Sequence, residues 1–89
     1  MQYSEILHAV PNLSQHRQHP ALIALGEAIR AARRRQGISQ EKLALMAEID
    51  RSYIGRVERG DNNVAVLTLL KIVGALGLSL RDLMKAAKL

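Results

Sequence analysis

The chain has 89 residues, which is room for one small domain, and because a domain of this size is only marginally stable alone, oligomerisation is expected. It contains no Cys, which excludes disulfides, thiolate metal sites and Cys nucleophiles, and its aromatic residues are two Tyr, which predicts an aliphatic core. The formal net charge of +5 favours a polyanionic partner but does not separate nucleic acid from a membrane surface or an acidic protein.

No apolar run in the sequence approaches the ~20 residues that span a bilayer. The start lacks a basic stretch followed by an apolar one, as a secretory signal would have. We therefore expect a soluble, cytoplasmic protein with no membrane partner. Its basic residues are concentrated between residues 30 and 60, a stretch that contains eight of the thirteen basic residues and only four acidic ones.

Residues 1–19 are predicted to be an N-terminal arm, either flexible or one short helix, because they are polar and contain Pro11 and all three His. His16 and His19 have a spacing that would let both bind a metal on one helix face. No third ligand lies nearby in the sequence, so an exposed arm is favoured, and neither a metal nor a cofactor is predicted.

Residues 20–89 are predicted to form one compact domain that begins with a helix. Pro20 suits the first helical turn, where its missing N–H costs little, and Gly37 suits the left-handed position that closes a helix. Apolar positions recur between them at helical spacing: Leu22, Leu25, Ile29 and Ala32.

Two shorter helices are predicted next. Ser39 is expected to cap a helix over residues 40–47, and the inward positions of that helix are Leu43, Ala44 and Ala47. The third helix is predicted over residues 51–59, with Asp50 accepting its free backbone N–H groups as an N-cap and Gly60 ending it. Ala44 is small enough for the two helices to cross closely.

Two further helices complete the predicted domain. Inward apolar positions mark the fourth helix: Val66, Leu69, Leu70, Val73 and Leu76. Read alone, VAVLTLL at 64–70 is also compatible with a strand, but the helical spacing continues to Leu76 and favours a helix that Gly77 ends. Ser79 and Asp82 resemble a capping box for the fifth helix. The predicted fold class is an all-α domain of five helices.

Arg33 and Glu58 are predicted to form an ion pair between the first and third helices. Arg33 lies four residues after Ile29, and Glu58 lies four after Ile54, so each is next to the buried side of its helix. An unpaired charge there would be costly, whereas pairing removes most of the penalty. The alternative is that both side chains reach solvent separately.

The third helix has a basic outward side. At ~100° per residue, one arc contains Arg51, Ser52, Gly55, Arg56 and Arg59, while Ile54 and Val57 face the core. A helix that is apolar behind and basic in front suits the major groove of a DNA duplex, and Gly55 would permit close approach. The helices over 40–59 therefore predict a helix-turn-helix unit that binds double-stranded DNA.

Three segments of the chain resemble a known family. They are LGEAIRAARRRQGISQEKLA at 25–44, RSYIGRVERG at 51–60 and LTLLKIVGALGLSLRDLM at 67–84. Over residues 22–86 the chain is similar to the Cro/C1-type (XRE-type) helix-turn-helix regulators, and among them to the controller proteins of restriction–modification systems. The resemblance implies a lambda-repressor-like fold that binds a near-palindromic operator as a homodimer.

The resemblance also implies roles for single residues. Base-edge contacts are expected from Arg51, Ser52 and Arg56, although each of the three is also compatible with a phosphate contact. Backbone contacts are expected from Gln40 and Asn63, and Arg33 with Glu58 matches the internal ion pair of the family. From their positions in the chain, the further backbone candidates are Tyr53, Arg59, Arg34 and Arg35. Arg30 and Lys42 are interpreted as solvated charges, with one or two phosphate contacts among these basic residues.

The sequence also departs from the family pattern. Glu48 stands where a glycine is usual in the turn, so a side chain must be accommodated there. Asn62 replaces a frequent basic residue, and Val64 and Ala65 replace the usual Pro and hydroxyl residue. Weaker anchoring of this loop to the DNA backbone is expected.

The remaining hypotheses concern partners. The candidate dimer interface consists of Leu67, Leu80, Leu83 and Met84, although Leu83 and Met84 are also compatible with the monomer core. No catalytic arrangement is recognisable, so an enzyme is not predicted. The alternative functions are an antitoxin that binds a toxin protein, and an interaction module that keeps the fold without binding DNA.

Overall fold

The computed structural model describes residues 16–89, so residues 1–15 of the predicted arm lie outside the described part. Five helices follow in order: α1 (Pro20–Arg35), α2 (Gln40–Ala47), α3 (Arg51–Arg59), α4 (Val66–Leu76) and α5 (Leu80–Ala86). No strand occurs over residues 16–89. The predicted all-α class and five helices are confirmed, and the ambiguous stretch before Leu70 is helical from Val66.

Local chemistry accounts for most of the helix ends. The hydroxyl Oγ of Ser39 accepts a hydrogen bond from the backbone N–H of Lys42, at 3.0 Å, as the predicted cap of α2. Ser79 does the same for Asp82 at the start of α5. Gly60 ends α3 in the left-handed conformation, with φ of 80°, which glycine adopts without steric cost.

A single aliphatic core joins the five helices. Its most deeply buried side chains are Ile29, Leu43, Ile54, Val57, Ile72 and Leu83. α1 packs across α3, α2 packs against both α3 and α4, and α5 packs against α1 and α4. α3 is thus supported from behind by two helices, and this leaves its opposite side outward.

The predicted inward positions of α4 are partly wrong. Val66 is 60% exposed and Leu70 is 46% exposed, whereas Ile72, which the stripe omitted, is fully buried. α4 is turned so that Leu69, Ile72 and Val73 face α2 and α5. An apolar residue on a helix face is inward only if a neighbouring element covers that face, and within residues 16–89 the side of α4 that contains Val66 and Leu70 is left exposed.

Leu83 is wrong as a dimer-interface candidate. It is 1% exposed because α5 packs this side chain between α1 and α4, so it belongs to the monomer core. Leu80 and Met84 are half-buried against the same core, while Leu67 is 75% exposed.

Over residues 16–89, no helix combines the length and the apolar character that a membrane crossing requires.

Candidate nucleic-acid interface

The outward side of α3 is basic, and its inward side is apolar. Ile54 and Val57 are 0% and 2% exposed, whereas Arg51 at the start of the helix and Arg59 at its end are exposed. Arg56, one turn after the start, is half-buried. The structure therefore places three guanidinium groups along one helix, with the core behind them.

Gly55 was predicted to permit close approach to DNA, but it is not exposed on the outward side of α3. It is buried, and a Cβ atom built on it would lie 3.3 Å from Nη1 of Arg59 and 3.7 Å from Oε1 of Gln40. The surface above Gly55 is occupied by these two side chains. The space that its missing side chain leaves is taken by groups of the protein itself.

Asp50 occupies the N-cap position of α3, but the predicted capping bond is absent. Its side chain accepts no hydrogen bond from the backbone N–H groups of α3, and instead accepts one from the hydroxyl of Ser52. The Ser52 hydroxyl proton is therefore engaged within the protein. A contact between Ser52 and DNA must either exchange this bond or use the oxygen of Ser52 as an acceptor.

Arg33 and Glu58 form the ion pair that the spacing predicts. Nε of Arg33 donates to Oε2 of Glu58 at 2.7 Å, and Nη2 of Arg33 donates to Oε1 at 3.0 Å. Both residues are buried, at 8% and 2% exposure, which is incompatible with separate exposure to solvent. Nη1 of Arg33 also donates to the carbonyl of Ile38, so the pair ties α1 to α3 and to the loop before α2.

Two further side chains donate to the Glu58 carboxylate. Nε2 of Gln40 donates to Oε1 at 2.9 Å, and Nε of Arg30 donates to the same oxygen at 3.4 Å. Burial by itself would raise the pKa of Glu58, but the hydrogen bonds from Arg33 and Gln40 outweigh it and hold the pKa below its ordinary value. The hydrogen bonds to Glu58 raise the pKa of Arg33 in turn.

These contacts change the interpretation of Arg30 and Gln40. Arg30 is not simply a solvated charge, because it belongs to the Glu58 cluster. Gln40 is half-buried and uses its side-chain N–H on Glu58, so its amide braces the interior. The pairing of Glu58 with Arg33 was recognisable in the sequence. The additional bond from Gln40 was not, because it depends on where α2 crosses α3.

Arg56 and Tyr53 are in contact on α3. The guanidinium carbon of Arg56 lies 5.6 Å from the centroid of the Tyr53 ring, within the range of a cation–π interaction. Burial raises the pKa of the Tyr53 hydroxyl, and the nearby charge of Arg56 opposes that effect. The ring limits the orientations that Arg56 can adopt.

The turn between α2 and α3 contains a left-handed non-glycine residue. Glu48 has φ of 58° and ψ of 45°, a conformation that an intact Cβ disfavours. It ends α2 as a glycine would, and its side chain is exposed. The departure noted in the sequence is thus accommodated by backbone strain rather than by a different turn.

The remaining predicted contacts lie on α1, at the end of α3 and in the loop after α3. Arg34 and Arg35, at the end of α1, are exposed, and so is Asn63 in the loop after α3. Arg59 is 55% exposed in its side chain, and its Nε donates to Oδ2 of Asp61 at 3.1 Å. The charge of Arg59 is therefore partly balanced by a residue that the sequence had not singled out.

Within residues 16–89, no group of three or more His, Asp or Glu side chains is arranged to hold a metal ion.

Comparison with known proteins gives consistent matches. Residues 29–83 match a family model described as helix-turn-helix. Control protein C.BamHI of Bacillus amyloliquefaciens is 38% identical over 63 residues, which cover 70% of this chain and 78% of that protein. The crystal structure of the restriction-modification controller protein C.AhdI from Aeromonas hydrophila has a TM-score of 0.69 at 44% identity, over 70% of this chain and 94% of that one. A nucleoprotein complex of C.Esp1396I has a TM-score of 0.71 at 28% identity, over 76% of this chain and 88% of that one.

Proposed function

We propose, from the premise that this chain belongs to the Cro/C1-type helix-turn-helix family, that it binds a near-palindromic DNA operator as a homodimer. The chain is a helix-turn-helix transcriptional regulator similar to restriction–modification controller proteins. We further propose that it acts as such a controller, or as a similar autoregulator, near its own promoter. Its partners are then double-stranded DNA and a second copy of the chain in the cytoplasm.

The observation on which this proposal depends is the fixed orientation of α3. The buried pair of Arg33 and Glu58 and the apolar contacts of Ile54 hold the helix so that Arg51 faces outward from its first turn. The N-terminal part of such a helix is the part that reaches base edges in the major groove. We assign base contacts to Arg51, Ser52 and Arg56, since arginine pairs with guanine through O6 and N7.

Backbone contacts fix the position of the protein on the duplex. We assign them to exposed or half-buried groups on α1, α2, α3 and the loop after α3: Arg34, Arg35, Gln40, Tyr53, Arg59 and Asn63. Because the side-chain N–H of Gln40 already binds Glu58, the contact from Gln40 is assigned to its backbone N–H at the first position of α2. Phosphate contacts of this kind position a protein without selecting a sequence.

Homodimer formation is supported by the length of α3 and by exposed apolar surface. One helix of nine residues contacts only a few base pairs, so two half-sites ~34–36 Å apart are needed for useful specificity. Leu67 is 75% exposed on α4, and Leu80 and Met84 are half-buried on α5. We place the interface on these residues.

The dimer is tested by sedimentation equilibrium over a range of concentrations. The variant Leu67→Glu is expected to sediment as a monomer, since a charge would then be buried at the interface. Leu45→Glu is the matched control, because Leu45 is 72% exposed but lies on α2. A Leu67→Glu protein that dimerises as strongly as the unmodified chain would place the interface elsewhere.

DNA binding is tested by selection of duplexes from a random pool, followed by titration of the selected duplex at several salt concentrations. We expect enrichment of a near-palindromic sequence, and an affinity that falls steeply with salt as phosphate-bound ions are released. A chain that leaves every duplex free at low ionic strength would contradict the proposal and favour an interaction module.

A further inference from the structure

The segment before α1 is bound to the C-terminal end of α3. The backbone N–H of Gln18 donates to the carbonyl of Gly60 at 2.6 Å, and its side-chain Nε2 donates to the carbonyl of Arg59 at 2.9 Å. The last carbonyl groups of a helix have no partner inside the helix. Gln18 therefore satisfies groups that α3 and its C-cap leave open.

The same amide contacts a charged pair. Nε2 of Gln18 also donates to Oδ1 of Asp61 at 2.5 Å, and Oδ2 of Asp61 accepts from Nε of Arg59 at 3.1 Å. One carboxylate is thus shared between Gln18 and Arg59. The hydrogen bonds from Gln18 and then from Arg59 lower the pKa of Asp61, so the carboxylate stays charged at neutral pH.

Arg59 keeps most of its donors for another partner. A guanidinium has five N–H groups, and within residues 16–89 only Nε of the Arg59 side chain donates a hydrogen bond. Its Nη1 lies over Gly55, on the outward side of α3, and the side chain is 55% exposed. Among the described residues, the Arg59 guanidinium is thus held through one atom.

We propose that Gln18 is a positioning residue for DNA binding. It fixes Asp61, and Asp61 fixes Arg59, so that the terminal N–H groups of Arg59 meet one backbone phosphate at the edge of the groove. A long side chain that is already ordered loses less rotamer freedom when it binds, which favours the contact. This inference rests on the proposed function, because it requires α3 to enter duplex DNA.

The positioning comes from a part of the chain outside the family match. The helix-turn-helix model begins at residue 29, eleven residues after Gln18. The segment that completes the end of α3 therefore lies outside the residues that this model matches. It links the region before α1 to the DNA-facing surface through Gly60 and Asp61.

The test is a double-mutant cycle on the full chain. Gln18→Ala, Arg59→Ala and the double variant are titrated, over a range of salt concentrations, against a duplex that the unmodified chain selects from a random pool. Arg59→Ala is expected to weaken binding roughly three- to tenfold and to reduce the salt slope by about 0.9, the value for one phosphate contact. Gln18→Ala is expected to change both quantities in the same direction, and the double variant is expected to bind no more weakly than Arg59→Ala alone.

Gln36→Ala is the matched control. Nε2 of Gln36 donates to the carbonyl of Leu76 at 2.6 Å, so this variant also removes a glutamine bond to the end of a helix, but the helix is α4. We expect its affinity and salt slope to equal those of the unmodified chain. This separates a general loss of helix-end bonding from an effect on Arg59.

Asp61→Asn is a second variant that keeps the shape of the side chain and removes its charge. We expect weaker binding and a smaller salt slope, because Arg59 is released. Tighter binding by Asp61→Asn would overturn the inference, since Asp61 would then oppose DNA. The inference would also be overturned if Gln18→Ala bound DNA within twofold of the unmodified chain. The same holds if the affinity losses of Gln18→Ala and Arg59→Ala added in full in the double variant. If the unmodified chain selects no duplex, the proposed function fails first.

Discussion

A Cβ atom placed on Gly26 would lie 2.6 Å from the carbonyl oxygen of Glu58 and nearer still to that of Val57. α1 and α3 therefore touch backbone to backbone at Gly26. Arg33 lies two turns further along the same side of α1, so this close approach brings its guanidinium to the Glu58 carboxylate. The angle at which α3 presents its outward side depends on this contact.

Substitution of Gly26 by Ala is expected to force α1 away from α3. The free energy of unfolding should fall by ~1–3 kcal/mol, as for other overpacked cores, because the neighbouring atoms are backbone and cannot rotate away. Urea denaturation measures the change. Gly74→Ala is the control, since a Cβ atom there meets nothing within 4 Å and a helical alanine should stabilise. Equal effects of the two substitutions would contradict the close contact.

Replacement of Glu58 by Ala is expected to leave the Arg33 charge buried without its partner. The expected loss of stability is ~3–5 kcal/mol by chemical denaturation. The exposed acid Glu27 on α1 provides a control, and Glu27→Ala should change stability little. A loss below ~0.5 kcal/mol for Glu58→Ala would show that the pair contributes nothing beyond an exposed ion pair.

The lowered pKa of Glu58 predicts a loss of stability in acid. In the unfolded chain its carboxyl has a pKa of about 4.3, and in the folded protein the pKa is lower. Between the two values the unfolded chain binds a proton that the folded protein does not, so stability falls as the pH falls through this window. Above about pH 5 the contribution is complete.

Denaturation of the unmodified chain and of Glu58→Gln from neutral to acidic pH measures this contribution. The unmodified chain should lose stability more steeply below about pH 5. The pKa of Asp61 is lowered as well, but Asp61 is present in both proteins and cancels in the comparison. Parallel pH profiles would show that the pKa of Glu58 is not lowered by folding.

Glycine at position 48 is expected to stabilise the protein. Glu48 has a left-handed backbone, which costs an L-residue roughly 1–2 kcal/mol, while glycine adds flexibility to the unfolded chain worth about half of that. Glu48→Gly should therefore raise the free energy of unfolding by ~0.5–1 kcal/mol. Glu48→Ala removes the charge but keeps the strain, and a gain of the same size for Ala would assign the effect to charge.

The two classes of predicted DNA contact should separate in binding experiments. Arg51→Ala is expected to relax the preferred sequence at one base position, at a cost of ~1–3 kcal/mol for the preferred base. Arg34→Ala or Arg35→Ala is expected to weaken binding to all sequences alike and to reduce the salt slope. Selection from a random DNA pool with each variant measures the preference. An unchanged preferred sequence for Arg51→Ala would make Arg51 a phosphate contact.

Local signals predicted the helices well because caps and stops act over a few residues. Ser39, Ser79 and Gly60 each satisfy or end a helix within one turn, and the structure has all three as predicted. The Arg33–Glu58 pair was also predictable, because helical periodicity placed each charge beside a buried stripe. The partner of the Asp50 side chain was not predictable, because the same carboxylate can either cap α3 or accept a hydrogen bond from the Ser52 hydroxyl.

The candidate interface was predicted less completely, because it depends on neighbouring helices. The space above Gly55 is filled by Arg59 and Gln40, and the donors around Glu58 come from α1 and α2. Gln18 gave no signal at all, since a polar residue before a helix is compatible with any partner. Its bonds to residues 59–61 connect positions more than forty apart in the chain.

The sequence by itself determined the helical class, the position of the helix-turn-helix and the basic side of α3, because periodicity and charge are properties of neighbouring residues. Tertiary packing decided the rest: which apolar faces are covered, why Leu83 is core while Leu67 is exposed, and how Arg59 is held. Those outcomes depend on the angles at which α1, α2 and α4 cross their neighbours. Close contacts such as that of Gly26 with Glu58 set these angles, and they join residues that no local pattern relates.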